Sequence, residues 1–386
     1  MQIHEQIIPY QLFYPIADKY VKEEMLFFDI ETTGFSANES YVYLIGCAYY
    51  RDNSFRLIQW FMDGIEEETQ LISHFFEFIQ SYRLLIHYNG TGFDLPYLLQ
   101  KVSLHNLPYN FKHIDSLDIY KQIIPYKKRL PVSDLKLKTV ERFLEIKRKD
   151  PYSGGELIDV YMKYLAFHTL ESKKVATSSF HPLKQSGLPI LGSGNTKEYL
   201  NALLLHNAED VMGLLPISSI LSYVDLFQGK GRVTCATLQD DELVVEIDLA
   251  HSLPKPIKES IELNSPHMPI LLSLKAANQA VTLRIPVMKG ELKFFFENFK
   301  DYYYLPQEDT AIHKSVGEYV DKAYRQNAKA NNCYIKKASS FLPQKVCYQT
   351  PAFRYEYKDK LTWFEADEEF LNNSEKLNRY VQSLLL

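Results

Sequence analysis

The run Met25-Leu26-Phe27-Phe28-Asp29-Ile30-Glu31-Thr32-Thr33-Gly34 decides how this chain is read. Four apolar residues followed by two carboxylates one residue apart describe a core strand that ends in acids. Side chains at i and i+2 of a strand share a face, so Asp29 and Glu31 point into one space. Thr32, Thr33 and Gly34 then turn the chain, leaving both acids at a strand end where a cleft can open. Two carboxylates this close repel each other unless a divalent cation lies between them. A solvated strand end is the plainer alternative for an isolated Asp-x-Glu. The apolar lead and the Thr-Thr-Gly turn favour the metal reading.

Two further stretches carry chemistry. Residues 84–99 read Leu-Leu-Ile-His-Tyr-Asn-Gly-Thr-Gly-Phe-Asp-Leu-Pro-Tyr-Leu-Leu: a short apolar strand, a glycine-bearing loop holding Asn89, then a helix entered at Asp94. Pro96 falls in the first turn of that helix, where a missing N–H costs nothing. Capping alone accounts for Asp94 but not for Asn-x-x-x-Phe-Asp as a unit. Residues 203–215, Leu-Leu-Leu-His-Asn-Ala-Glu-Asp-Val-Met-Gly-Leu-Leu, repeat apolar residues at helical spacing and put His206 and Asp210 on one face. In isolation such a pair reads as a surface pair.

Taken in this order, the three motifs resemble the DEDD superfamily of exonucleases, which have a ribonuclease H-like fold. The acids that match its pattern are Asp29, Glu31, Asp94 and Asp210. Within it, the chain looks most like the YprB-like, ribonuclease H-like proteins of bacteria. Tyr-Leu-Ile-Gly-Cys (43–47), Gln-Trp-Phe (59–61), His-Tyr-Asn-Gly-x-x-Phe-Asp-x-Pro-Tyr-Leu and His-Asn-x-x-Asp-Val carry that likeness over about residues 25–225. One departure concerns mechanism. The superfamily has Tyr four places before the last acid or His five places before it, and here His206 stands four places before Asp210. The helix still aims His206 at Asp210, and a neutral imidazole can take a proton from a nucleophilic water.

The resemblance implies phosphodiester hydrolysis with two Mg²⁺ or Mn²⁺ ions about 4 Å apart. Hard oxygen ligands suit these ions and argue against zinc. By the same resemblance Asp29 would bridge both ions, and Glu31 and Asp210 would bind the ion that holds the water. Asp94 would complete the shell of the second, with Asn89, Thr32 and Thr33 placing the terminal nucleotide. Phe93 reads as a core residue under the site. Asp115 is a candidate outer-shell acid, with helix capping as the alternative. Arg148, in the basic run Lys147-Arg148-Lys149, is a candidate phosphate contact, with a solvated turn as the alternative.

Composition sets bounds. The 386 residues suffice for two domains with cores. Hydrophobic content of 46% and charged content of 24% are ordinary for a globular protein. The 28 Tyr and 23 Phe fit an AT-rich genome as well as stacking surfaces. A net charge of −5 lacks the basic footprint of many nucleic-acid binders, though a metal site itself needs acids. The four cysteines, Cys47, Cys235, Cys333 and Cys347, form no Cys-x-x-Cys pair, and the histidines form no ligand cluster, which excludes zinc-ribbon and disulfide frameworks. No apolar run is expected to span a membrane and no signal pattern opens the chain, so a cytoplasmic protein is expected.

Along the chain, residues 1–24 form a lead-in of uncertain structure and 25–228 a ribonuclease H-like domain. Strands are expected at 25–30, 41–50 and 54–62 as an antiparallel meander, at 84–87 and near 111–115. Helices are expected at 66–80, from Asp94, from Ser116, and at 133–144, 155–167 and 196–225. The Ser-, Lys-, Gly- and Pro-rich stretch 170–195 reads as a loop, with a flap over substrate as a second reading. Residues 229–386 form a smaller β-rich domain, with alternation at 233–249, 270–286 and 289–297, a helix near 311–329 and a strand near 333–337. There Lys314, Lys322, Arg325, Lys329, Lys336 and Lys337 interleave with Tyr319, Tyr324 and Tyr334, which suits a single-strand track or an ordinary amphipathic helix.

The sequence thus predicts an α/β protein: a ribonuclease H-like mixed sheet flanked by helices, plus a smaller β-rich C-terminal domain. The expected function is a metal-dependent 3′–5′ exonuclease acting on single-stranded DNA or RNA. The alternatives are a nonhydrolysing nucleic-acid-binding protein, an endonuclease on the same acids, and a C-terminal half that recruits a protein partner.

Overall fold

An apolar strand that ends in acids has to lie inside a sheet, and the computed structural model places it there. It describes residues 1–12, 14–16, 19–176 and 195–386. These form two compact units, Met1–Leu221 and Ser222–Leu386.

The first unit is built on six strands: β1 (Gln2–Ile8), β2 (Met25–Thr32), β3 (Val42–Arg51), β4 (Ser54–Phe61), β5 (Leu84–His87) and β6 (Asp115–Asp118), in spatial order β1-β4-β3-β2-β5-β6. The meander β2–β3–β4 is antiparallel, whereas β5 runs parallel to β2 and β6 parallel to β5. The acid strand therefore lies where the antiparallel and parallel halves of the sheet meet, with partners on both edges. Residues 2–8, part of the lead-in to which the sequence assigns no definite structure, pair with β4 as an edge strand.

Helices α1 (Glu68–Phe78), α2 (Asp94–Leu104), α3 (Ile119–Ile123), α4 (Leu137–Phe143), α5 (Gly154–Ala176) and α6 (Thr196–Ile217) flank the sheet. The core joins Leu26, Phe28 and Ile30 of β2 to Phe75 and Phe76 of α1, Leu98 of α2 and Tyr161 of α5. Tyr43 on β3 stacks on Tyr161 with centroids 4.1 Å apart. Buried Glu68 accepts the Val42 N–H at 2.8 Å and pairs with Lys101 Nζ at 3.0 Å, tying α1 and α2 to the start of β3.

Several helix boundaries moved for local reasons. Asp134 accepts the Lys136 N–H at 2.9 Å in a turn, so α4 starts at Leu137 and not at 133. Asp118 caps α3 through the Lys121 N–H, so Asp115–Asp118 is strand and the helix does not begin at Ser116. Residues 170–176, expected as loop, continue α5. Residues 177–194, which hold the rest of that loop and the flap reading, lie outside the described residues. An Asn195–Glu198 capping box opens α6. Contrary to expectation, the stretch Thr196–Phe227 is long and apolar enough to cross a membrane, but 72% of its most apolar part is buried in the protein. It reads as a core helix.

The second unit opens with α7 (Leu221–Phe227), whose first residue closes the first unit. Strands β7 (Arg232–Gln239), β8 (Glu242–Asp248), β9 (Ile257–Leu263), β10 (Ile270–Ala277) and β11 (Ala280–Pro286) form a sheet of order β7-β8-β11-β10-β9. Strands β12 (Met288–Phe295), β16 (Tyr334–Gln344) and β17 (Thr362–Glu365) form another, and β13 (Tyr302–Leu305), β14 (Thr310–His313) and β15 (Gln326–Asn327) a third. The helix expected over 311–329 is therefore only the single turn α8 (Lys314–Gly317). Strand pairing with the Tyr302–Tyr304 run claims both ends of the segment, and Asp321 caps a separate short turn between them. The cation–tyrosine track is dispersed accordingly. Tyr334 is buried against Asp309, Lys336 pairs with Asp309 and Lys337 with Glu365, whereas Tyr319 is 91% exposed.

Candidate active site

The four acids arrive at one place on three rigid elements. Asp29 and Glu31 come from the end of β2, where the register with β3 shifts between Glu31 and Thr32. Asp94 comes from the first turn of α2, where the backbone N–H groups of Asp94 itself and of Ile30 on β2 favour its charged form. Asp210 comes from α6. The close seating of α6 on the sheet depends on Gly46, which faces Asp29 across the β2–β3 ladder. A Cβ at Gly46 would lie 2.1 Å from Asn207 Oδ1. Asn207 Nδ2 donates to Asp29 Oδ2 at 3.2 Å, and Gln59 on β4 donates to Asn207 Oδ1 at 2.9 Å.

The electrostatics of the cluster are those of excess negative charge. Burial, and then repulsion by Asp210, Glu31 and Asp94, pushes the Asp29 carboxyl well above its ordinary range. Burial pushes Glu31 up to about 8, with His206 opposing and Asp210 and Asp94 adding to the rise. Asp94 is pushed up to about 7, chiefly by burial. Asp210 moves the other way: burial acts against its charge, but His206 and Arg148 outweigh it and hold the group ionised.

His206 is buried in the same cluster. Its Nδ1 lies 2.7 Å from Asp150 Oδ2, and its Nε2 faces Asp210 Oδ2 at 3.4 Å and Glu31 Oε1 at 3.8 Å. Burial favours the neutral ring, yet the surrounding carboxylates, Asp210 first, raise its proton affinity above the ordinary value.

A divalent ion fits this site on two observations. The donor set of the acids is hard oxygen, and Glu31 Oε1 is buried without a hydrogen-bond partner. Ligand atoms of Glu31, His206 and Asp210 lie within 4.8 Å of one another.

The other expected site residues serve nearby loops. Thr32 Oγ1 donates to the Gly34 carbonyl at 2.9 Å, and Thr33 Oγ1 accepts the Tyr41 N–H at 2.9 Å, so both hydroxyls shape the turn after β2. Asn89 adopts a left-handed conformation (φ 63°), and its N–H donates to Asp118 Oδ1 at 2.8 Å. Phe93 is half-buried, edge-on to Phe35 at 6.0 Å and tilted against Tyr97 at 5.4 Å.

Two expectations are corrected. Asp115 is neither an outer-shell acid nor a cap; it is exposed and paired with Lys19 and Tyr20, because it lies at the outer end of edge strand β6. Arg148 is not a free phosphate contact: its side chain is 11% exposed and is surrounded by Glu141, Asp150, Glu209 and Asp210. Sequence reading missed Asp150 and Asp118. Buried Asp118 accepts the N–H groups of Asn89 and Thr91 and the Thr91 hydroxyl, holding the β5–α2 loop together. Asp118 carried a weak signal, as the fourth residue of an Asp-Ser-Leu-Asp run beside the acid that was chosen.

Comparison with known proteins agrees with this geometry. The RNase_H_2 family of the RNase_H superfamily matches residues 26–177. The first unit has a ribonuclease H-like fold, a mixed sheet flanked by helices, and the C-terminal region is β-rich. No curated protein matches the chain significantly in sequence. Among solved structures, the family B DNA polymerase from the hyperthermophilic archaeon Pyrobaculum calidifontis aligns at 12% identity and TM-score 0.38, over 70% of this chain and 34% of the polymerase. The chain thus spans about a third of the polymerase's length, and a likeness so distant decides nothing about activity. The superfamily match and the acid cluster together support a nuclease.

Proposed function

We propose that the first unit is a metal-dependent 3′–5′ exonuclease of DEDD type acting on the end of single-stranded DNA or RNA. The observation that carries the reading is the convergence of Asp29, Glu31, Asp94 and Asp210 in one buried cluster, where burial and mutual repulsion raise the first three while His206 opposes the rise at Glu31 and His206 with Arg148 holds Asp210 ionised. Asp29, Glu31, Asp94 and Asp210 would hold Mg²⁺ or Mn²⁺. Such ions, when bound, activate a water and stabilise the leaving oxygen of a phosphodiester.

The chain's own residues supply the rest. His206 Nδ1 donates to Asp150, which leaves Nε2 free to accept a proton from a water at the Glu31–Asp210 edge. The three carboxylates around the ring favour its charged form. Cations held by Glu31 and Asp210 would offset the pull of those two carboxylates on the ring and so favour its neutral form. Thr32, Thr33 and Asn89 shape the loops that border the acids and would position the terminal nucleotide through backbone groups. The like spacing of His206 and Asp210 with the YprB-like branch supports the same assignment.

The test is Mn²⁺-dependent degradation of 3′- and 5′-labelled single-stranded DNA and RNA, with Asp29→Asn as control. A ladder that shortens from the 3′ end, absent in the variant, is the expected result. Cleavage products from the chain interior would replace the exonuclease with an endonuclease on the same acids. Turnover retained in Asp29→Asn would refute the site.

A further inference from the structure

Residues 148–150 touch α6 at three points, none of them among the four acids of the motif pattern except Asp210. Arg148 Nη2 lies 2.5 Å from Asp210 Oδ1. The backbone N–H groups of Lys149 and Asp150 donate to the Glu209 carboxylate at 2.9 and 3.0 Å. Asp150 Oδ2 lies 2.7 Å from His206 Nδ1. Positions 206, 209 and 210 share one helix face, being i, i+3 and i+4, so one short segment can reach all three.

The guanidinium is itself fixed. Its Nη1 donates to both oxygens of Glu141 at 3.0 Å each, and Glu141 is 1% exposed. Gly213 makes room for that carboxylate on α6: a Cβ there would lie 2.7 Å from Glu141 Oε1. Lys138 Nζ holds the same Asp150 oxygen at 3.2 Å. A planar fork held at one end by a buried carboxylate has little freedom at the other.

We propose that residues 148–150 form a clasp that presets the two α6 side chains of the site, with Arg148 as the positioning residue for Asp210 and Asp150 as the positioning residue for His206. The proposal rests on the nuclease reading above. Arg148 engages Oδ1 of Asp210 and so leaves Oδ2 turned toward His206 Nε2, 3.4 Å away. Asp150 engages Nδ1 of the ring and so directs Nε2 at Glu31 and Asp210.

An arginine beside a ligand acid has two opposed effects on cation binding. Its charge repels the ion, whereas its guanidinium, anchored through Nη1 on Glu141, holds the ligand in place by a short ion pair. Outer-shell partners that orient ligands are worth about 10- to 100-fold in metal affinity. The clasp predicts that orientation wins, and the sign of one measurement decides.

The experiment is Mn²⁺ titration of the full chain by calorimetry, with free Mn²⁺ followed by electron paramagnetic resonance. Arg148→Gln is expected to lose about tenfold or more in affinity for at least one ion. Arg148→Lys, which keeps the charge without the fork, should lose affinity in the same direction. Unchanged or tighter binding in Arg148→Gln would overturn the clasp and leave Arg148 as a counter-charge only. If Arg148→Gln does not fold, Glu141→Gln with Arg148→Gln removes the buried pair as a unit and carries the same expectation. For Asp150, the ¹⁵N shifts of His206, read at a pH high enough to keep the ring neutral, should report a single Nδ1–H tautomer in the parent and a mixture in Asp150→Ala; one tautomer in both would remove Asp150 from the proposal. Failure of the parent to bind Mn²⁺ would overturn the nuclease reading, and the clasp with it.

Discussion

Replacing Glu31 by Gln should stabilise the metal-free protein, because the wild-type carboxylate is a buried charge among like charges. Its Oε1 has no hydrogen-bond partner to lose. Its carboxyl is pushed from 4.5 up to about 8. At about 1.4 kcal/mol per tenfold change in proton affinity, the penalty at pH 8 has a ceiling of about 4 kcal/mol. Relaxation of the site and partial proton uptake reduce that, so about 1–3 kcal/mol is expected, or about 3–8 °C for a unit of this size. The pH dependence fixes the sign. A carboxyl whose folded value lies above its unfolded value leaves the folded chain holding more protons. Stability therefore falls as pH rises from about 5 to about 8 and levels off beyond. Asp94, pushed from 3.8 up to about 7, contributes in the same direction. The assay is thermal unfolding in chelator and in Mn²⁺, at pH 5 and pH 8. Glu31→Gln should exceed the parent in chelator at pH 8, match it at pH 5, and gain far less from Mn²⁺. A variant equal to or below the parent in chelator at pH 8 would refute the claim that repulsion strains this cluster.

Asp29→Asn and Asp210→Asn should each abolish Mn²⁺-dependent hydrolysis with circular dichroism unchanged; retained turnover in either would remove that acid from the site. His206→Ala should lower the rate by about 10²-fold or more, the usual worth of a general base, and a rate within a few-fold of the parent would exclude that role. Gly46→Ala should cost about 1–3 kcal/mol or more, since its Cβ would meet Asn207 Oδ1 at 2.1 Å, and denaturant unfolding would measure it. Asp118→Ala strips several donors in the β5–α2 loop of their acceptor. It should cost about 2–4 kcal/mol, and an unchanged unfolding midpoint would show the loop to be held by other contacts.

How much of this was legible beforehand depended on the range of the interaction. The strand at 84–87, the antiparallel meander and the helix from Asp94 follow from local periodicity and turn chemistry, and the structure reproduces them. Asp29, Glu31, Asp94 and Asp210 were legible because each stands in a motif with its own spacing, and the structure brings them into one cluster. Asp150 was not, since its partner His206 lies 56 positions away and nothing around Asp150 distinguishes it from a solvated acid. Arg148 was misread for the same reason: a basic run looks exposed until the carboxylates that enclose it are known. In the second unit the 311–329 segment has helix-like content, but its ends belong to strands whose partners, the Tyr302–Tyr304 run, are set by tertiary pairing.

Six side chains make up the site, yet only three bodies carry them. Asp29 and Glu31 share β2, His206, Asn207 and Asp210 share α6, and Asp94 alone rides α2. Errors of placement are therefore correlated: sliding α6 by one residue's rise of about 1.5 Å would displace the candidate base, the Asp29 partner and the last acid together, by the same vector. A site of this kind tolerates drift poorly along one axis and well along most others. Random variation on the outer face of α6 should be nearly silent. A single insertion between His206 and Asp210, which would turn the last acid about 100° off the helix face that carries the base, should remove the chemistry in one step.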